Sequence, residues 1–105
     1  MRQVMVRYKV KPERVAENEE LVRAVYAELH RSQPSGLRYA TLQADDGVTF
    51  VHIAENREGE NPLGDVQAFA RFQEDIRARC DEPPVVTRLH EIGSFRFFGD
   101  ESPPA

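Results

Sequence analysis

Residues 37–55 read LRYATLQADDGVTFVHIAE, and the fold follows from how this stretch is parsed. Leu37 to Gln43 and Val48 to Glu55 are rich in strand-forming residues, and the "ADDG" between them carries an Asp-Gly pair, a strong short-range hairpin signal. Two strands pairing antiparallel are therefore predicted. The second run is apolar on both sides: Val48, Phe50 and Ala54 flank His52 on one, and Val51 and Ile53 lie on the other. His52 admits two readings, a general base in a dry pocket or a packed ring whose nitrogens are satisfied locally.

Working outward, Val4, Val6, Tyr8 and Val10 alternate with Met5, Arg7 and Lys9, which predicts a first strand over Val4 to Val10. From Pro12 the period lengthens. Val15, Leu21, Val22, Val25 and Leu29 fall on one helical arc, Glu19 and Arg23 pair four apart on the wet side, and the helix is expected to end near His30. After the loop "NREGENPLG", Val66, Phe69, Phe72, Ile76 and Cys80 line one face of a second helix, which "EPP" is expected to stop. A fourth strand is predicted from Val85 to Ile92, carried onward by "GSFRFF". The order is that of a βαββαβ, ferredoxin-like α+β fold with a four-stranded antiparallel sheet. One domain over 1–98 and a disordered tail over 99–105 are expected.

Two helices cover one face of such a sheet. The other face, with Phe95, Phe97 and Phe98 near the C-terminus, would forgo roughly 1.5 to 3 kcal/mol per phenylalanine if left wet, and a patch of that kind marks an interface. A homodimer through the open sheet face and the C-terminal strand is the expectation. With 105 residues the chain gains from such a partner.

Composition excludes some functions. A formal charge of -4 with no basic stripe argues against nucleic acid. No window approaches a membrane span, the Met1 end lacks an h-region, and Cys80 is the single cysteine, so a soluble cytoplasmic protein without disulfides is expected. No ligand spacing suggests a metal, and glycine-rich phosphate loops, a nucleophile elbow and an HExxH pair are absent.

The stretches "VMVRYKVKPERVAENEELVRAVYAEL", "GLRYATLQADDGVTFVHIAE" and "FARFQEDIRARCDEPPVVTRLHEIGSFRFF" together resemble the dimeric α+β barrel superfamily, and within it small proteins grouped with the antibiotic biosynthesis monooxygenases. The resemblance implies that two subunits join their sheets into a barrel. It also implies a pocket in each for a flat aromatic substrate, oxidised in some members by molecular oxygen with no cofactor. Other members degrade haem with an asparagine, tryptophan and histidine set; this chain has no tryptophan, which weighs against that branch.

Candidate roles follow. His52 and His90 are the candidate catalytic bases, able to take a phenolic proton if their pKa lies near the working pH. Tyr8, Tyr39 and Arg88 are candidate substrate-binding groups, Arg88 sharing a strand face with His90. Each also has a structural reading: local hydrogen bonding for the histidines, amphipathic packing for the tyrosines, ordinary ion pairing for Arg88. His30 reads as a helix C-terminal cation, Cys80 as a buried thiol, and Asp45 and Asp46 as turn residues. The 56–64 loop is either a lid or a plain connector. The alternative to an enzyme is a non-catalytic, ligand-binding or stress-associated dimer with a filled interior. A cavity of at least roughly 300 Å³ beside His52 or Tyr8 would separate the two.

Overall fold

A computed structural model describes residues 1–97. Four strands form one antiparallel sheet, β1 (Arg2–Val10), β2 (Leu37–Gln43), β3 (Thr49–Asn56) and β4 (Cys80–Leu89), in the order β2-β3-β1-β4. Helix α1 (Val15–Ser32) follows β1 through a 3-10 turn at Pro12–Arg14, and α2 (Gln67–Glu74) and α3 (Ile76–Arg79) precede β4. The fold is thus α+β and ferredoxin-like.

The central hairpin forms where Asp46 and Gly47 turn the chain. Gly47 has φ +77°, a left-handed conformation that side-chain-bearing residues adopt only with strain. The Asp46 carboxylate accepts from the Val48 and Thr49 backbone amides, both at 2.9 Å, and from the Thr49 hydroxyl at 2.6 Å. These bonds hold its carboxyl down at about 2. The turn sets the register, opposing Thr41 to His52 and Tyr39 to Ala54.

Strand β1 lies against β3 with Val6 opposite His52 and Tyr8 opposite Phe50, so these side chains share one face. That face meets the helices. Tyr8, Val10, Val25, Phe50, Val66, Ala68 and Phe72 are its buried centre. Helix α2 has no side-chain cap of its own; instead Glu28 of α1 accepts from the Gln67 and Ala68 amides at 3.1 and 2.9 Å, tying the two helices together.

The second helix departs from the expectation. It is interrupted at Asp75, and the chain is already extended at Cys80, so β4 begins five positions before the predicted Val85 and contains both Pro83 and Pro84. An edge strand tolerates proline because part of its backbone needs no ladder partner. The register confirms the accommodation: Arg7 faces Val85 and Lys9 faces Glu82, leaving the two prolines bulged opposite Tyr8. The other end also differs. β4 stops at Leu89, and residues 90–97 belong to no strand. Phe98 and the tail expected over 99–105 lie outside the described residues.

The opposite sheet face carries Met5, Val51, Ile53, Ala40, Leu42 and Val85, with no helix over it among the described residues. Leu42 and Val85 are 52% and 60% exposed, and Ile92, Phe95 and Phe97 are exposed beyond the sheet. No described helix is long and apolar enough to cross a membrane.

Candidate functional site

Between the sheet and α2 lies a cavity of about 250 Å³. Its walls are aromatic: Tyr8, Tyr39 and His52 from the strands, Phe69 and Phe72 from α2. The rings order one another, Tyr8 stacking on Phe50 at 5.6 Å, Phe69 on Phe72 at 6.0 Å, and Phe72 lying 5.1 Å from the imidazole of His52. Asn61 and Leu63 of the loop after β3 complete one side. The loop is therefore part of the wall. It is held by the Asn56 side-chain amide donating to the Arg57 and Glu60 carbonyls, and by an ion pair of 2.6 Å between Glu58 and Arg88.

His52 stands at the polar end of this cavity. Both ring nitrogens are engaged: the Tyr8 hydroxyl is 2.7 Å from Nε2, and the Tyr39 hydroxyl is 2.6 Å from Nδ1, with Thr41 Oγ1 a further 3.2 Å from Nδ1. Behind Tyr8, Asn18 of α1 donates to its hydroxyl at 3.0 Å, and Arg79 donates through Nε to Asn18 Oδ1 at 3.1 Å. Arg79 and Asn18 are wholly buried. The second arm runs through Thr41 to Tyr26 at 2.8 Å, and Tyr26 stacks on Tyr39 at 5.4 Å.

Burial decides the protonation states. It pushes the His52 imidazole down to about 4, so the ring is neutral at pH 7, and it raises the hydroxyls of Tyr8 and Tyr39 well above their ordinary range. The hydrogen-bond network around His52 holds one charge, the guanidinium of Arg79, whose Nη2 donates to the Phe72 carbonyl at 2.7 Å, and a second guanidinium, that of Arg2, lines the cavity. A neutral imidazole between two phenols can position a ligand oxygen and shift protons along the line. It is a weak base there, because its charged form is disfavoured.

Of the five residues singled out from sequence, the structure brings His52, Tyr8 and Tyr39 together. It does not bring the other two. Arg88 lies on the edge strand opposite Val4, paired with Glu58, and does not line the cavity. His90 lies past the end of β4 and is exposed, because the strand that was to carry it stops one residue earlier. Asn18, Arg79, Thr41 and Tyr26 were not anticipated. Asn18 had a signal: it falls on the apolar arc between Val15 and Val22, where an amide needs a partner. Cys80 is a buried thiol whose pKa burial raises. Among the described residues no group of His, Cys, Asp and Glu is placed to hold a metal ion.

No family model matches the chain, and no curated protein matches it. Solved structures do. PA3566 from Pseudomonas aeruginosa has a TM-score of 0.70 at 20% identity, over 88% of this chain and 94% of its own. A protein described as an antibiotic biosynthesis monooxygenase gives 0.68 at 22%, over 89% and 100%. Rv0793 from Mycobacterium tuberculosis gives 0.67 at 19%, over 89% and 96%. At these identities the likeness is one of fold. The chain has the α+β architecture of antibiotic biosynthesis monooxygenase-like proteins.

Proposed function

We propose, from the fold shared with antibiotic biosynthesis monooxygenase-like proteins, that the chain takes a small hydroxylated aromatic, a phenol or quinol, into the cavity beside His52 and oxidises it with molecular oxygen without a cofactor. The observation that carries this reading is the aromatic-walled cavity with three converging polar groups at one end. Its volume of about 250 Å³ falls short of the roughly 300 Å³ expected above of a small-molecule site, but an apolar cavity of roughly 150 Å³ already holds benzene, so one ring fits with room for substituents.

In this proposal the rings of Phe69 and Phe72, stacked on one another, wall the substrate on the helix side and exclude water, while Tyr8 and Tyr39 orient its oxygens. The substrate supplies the electrons. A phenol loses its hydroxyl proton, the ring carbon opposite gains one oxygen atom as a carbonyl, and the second oxygen leaves as water with the two hydrogens, which balances phenol plus dioxygen against quinone plus water. His52 is the proton acceptor, reached through a tyrosine hydroxyl. The test is oxygen uptake with a panel of phenols and quinols, combined with isotopically labelled dioxygen and mass analysis of the product. His52→Gln is expected to abolish uptake and His90→Gln to leave it unchanged; uptake that survives both substitutions refutes the catalytic role.

One observation favours the alternative of a non-catalytic binding module: both nitrogens of His52 are already engaged and its protonation is disfavoured. Tight binding of the same phenols with no oxygen uptake would select it.

The open sheet face is the second part of the proposal. A second copy of the chain would cover Val51, Ile53 and Leu42 and join two sheets. Light scattering at micromolar concentration is expected to give twice the chain mass, and Ile53→Asp to halve it. A wild-type particle of single-chain mass removes the dimer.

A further inference from the structure

We infer that Arg79, acting through Asn18, fixes which nitrogen of His52 carries the proton and thereby makes Tyr39 a hydrogen-bond donor to an acceptor oxygen on the bound aromatic. The inference rests on the proposed function for the class of ligand, but its first half concerns the protein alone.

One group in the line has a role that is not adjustable. A guanidinium only donates. Arg79 Nε lies 3.1 Å from Asn18 Oδ1, so the Asn18 amide has its oxygen toward Arg79 and its NH2 toward Tyr8, whose hydroxyl it meets at 3.0 Å. Tyr8 oxygen is thus an acceptor from Asn18, and its one proton goes to the remaining neighbour, His52 Nε2 at 2.7 Å. Nε2 is then an acceptor, and a neutral ring must carry its proton on Nδ1. Nδ1–H donates to Tyr39 oxygen at 2.6 Å. On the other arm Thr41 hydrogen-bonds both Tyr26 and Tyr39, and either hydroxyl of the Tyr26–Thr41 pair can be the donor; with Tyr26 donating, the Thr41 proton goes to Tyr39. Both lone pairs of Tyr39 are filled, and its own proton is left to the cavity that its ring lines.

The line of bonds has one direction, from Arg79 outward. Its residues come from α3, α1, β1, β3 and β2, so the fold and not local sequence assembles it. Arg79 is wholly buried, and its Nη1 has no hydrogen-bond partner among the described residues. An arginine serving only the packing would be replaceable by an apolar side chain of similar volume. Here it supplies the fixed donor that the whole line requires. The cavity therefore favours a ligand presenting a carbonyl or a phenolate oxygen at Tyr39, the quinone product or the ionised substrate, over one presenting only a donor. Arg79 and Asn18 are positioning residues; Tyr39 touches the ligand.

Asn18→Asp tests the direction with almost no change of shape. Its carboxylate, paired with Arg79, only accepts, so Tyr8 must donate to it, His52 must carry its proton on Nε2, and Tyr39 must turn its proton toward Nδ1. The readout is the tautomer of His52 from nitrogen-15 chemical shifts and long-range proton couplings in the ligand-free protein, with the affinity of 1,4-naphthoquinone, an acceptor-only probe, and of 1-naphthol beside it. The expected result is Nδ1–H in the wild type, Nε2–H in Asn18→Asp, and a tenfold or greater loss of naphthoquinone affinity with naphthol affected less. Nε2–H in the wild type, or Nδ1–H persisting in the variant, overturns the inference even if both probes bind. Should Asn18→Asp fail to fold, the wild-type tautomer and Tyr39→Phe decide: Nδ1–H must remain in that variant, held by Thr41, while naphthoquinone affinity falls tenfold or more. A correct tautomer with neither probe bound overturns the proposed ligand class and leaves the hydrogen-bond direction standing.

Discussion

Removing one hydroxyl at a time separates the two arms of the His52 network. Tyr8→Phe keeps the ring on Phe50 but deletes the oxygen between Asn18 and His52. One amide N–H of Asn18 and the Nε2 lone pair of His52 are then buried without partners, and at about 1 to 3 kcal/mol for each orphaned group the variant is expected to lose about 3 kcal/mol of stability. Tyr39→Phe also deletes a bond to the imidazole. Its orphan is rescued, because Thr41 Oγ1 already stands 3.2 Å from Nδ1 and takes over the proton. The expected loss there is about 1 kcal/mol. The difference of about 2 kcal/mol corresponds to roughly a thirtyfold difference in the folding equilibrium, or a urea midpoint separated by about 1 M for a chain of this size. Urea unfolding followed by circular dichroism, at one fixed protein concentration because association shifts apparent stability, reads this directly. If Tyr39→Phe proves as destabilising as Tyr8→Phe, Thr41 is not a substitute acceptor and the directed network is wrong.

Acid should expose the buried imidazole. The folded ring titrates at about 4 against an ordinary 6.5, so between those values the unfolded chain binds a proton that the folded chain does not. The stability concerned is complete above pH 6.5, falls as pH drops toward 4, and amounts to about 3 kcal/mol; His52→Gln should flatten that part of the pH profile. Asp46, held at about 2 against 3.8, loses its contribution in the separate window below 3.8, and Asp46→Ala should speed amide exchange at Val48 and Thr49 first. Gly47→Ala meets no atom within 4 Å, so its expected penalty of about 1 kcal/mol in urea unfolding is the left-handed backbone alone; a neutral result refutes that. Breaking the Arg88–Glu58 pair with Glu58→Gln should leave the urea midpoint nearly unchanged, since exposed pairs contribute about 0 to 1 kcal/mol, while stopped-flow fluorescence shows faster ligand exchange through the loosened loop wall.

The hairpin and β1 were legible because period-two alternation and an Asp-Gly turn are local properties, and the helical arcs were legible for the same reason. The start of β4 was not. Pro83 and Pro84 end a helix in any context, but whether a strand can hold them depends on its being at the sheet edge with a bulge, which only the assembled sheet determines. A separate error at the other end of the strand reached the site: drawing β4 through to Ile92 put His90 and Arg88 on one strand face, whereas the strand stops at Leu89. His52, Tyr8 and Tyr39 were found because alternate strand positions point the same way. Asn18 reaches Tyr8 over a sequence separation of 10 residues and Arg79 reaches Asn18 over 61, and no periodicity encodes a hydrogen bond across such a distance. The helix-two arc did hold a hint, since Arg79 stands three after Ile76 and so on the buried side.

Strand β3 links the interior to the open face. Phe50, His52 and Ala54 point into the helix side, while Val51 and Ile53, the residues between them, point out beside Met5, Ala40 and Leu42. The pleat makes these two sets rigidly dependent: no side chain on one face can shift along the strand without the other following. Water on the outer face also sets the local dielectric around a sheet one residue thick, and with it the penalty that keeps His52 neutral. A second chain laid over Val51 and Ile53 would therefore stiffen the strand that carries His52 and dry its surroundings from behind. The depressed imidazole pKa arises within one chain, from burial by its own helices, and the tautomer from the Arg79–Asn18 line; the apolar outer stripe on the same strand is what the proposed twin would cover.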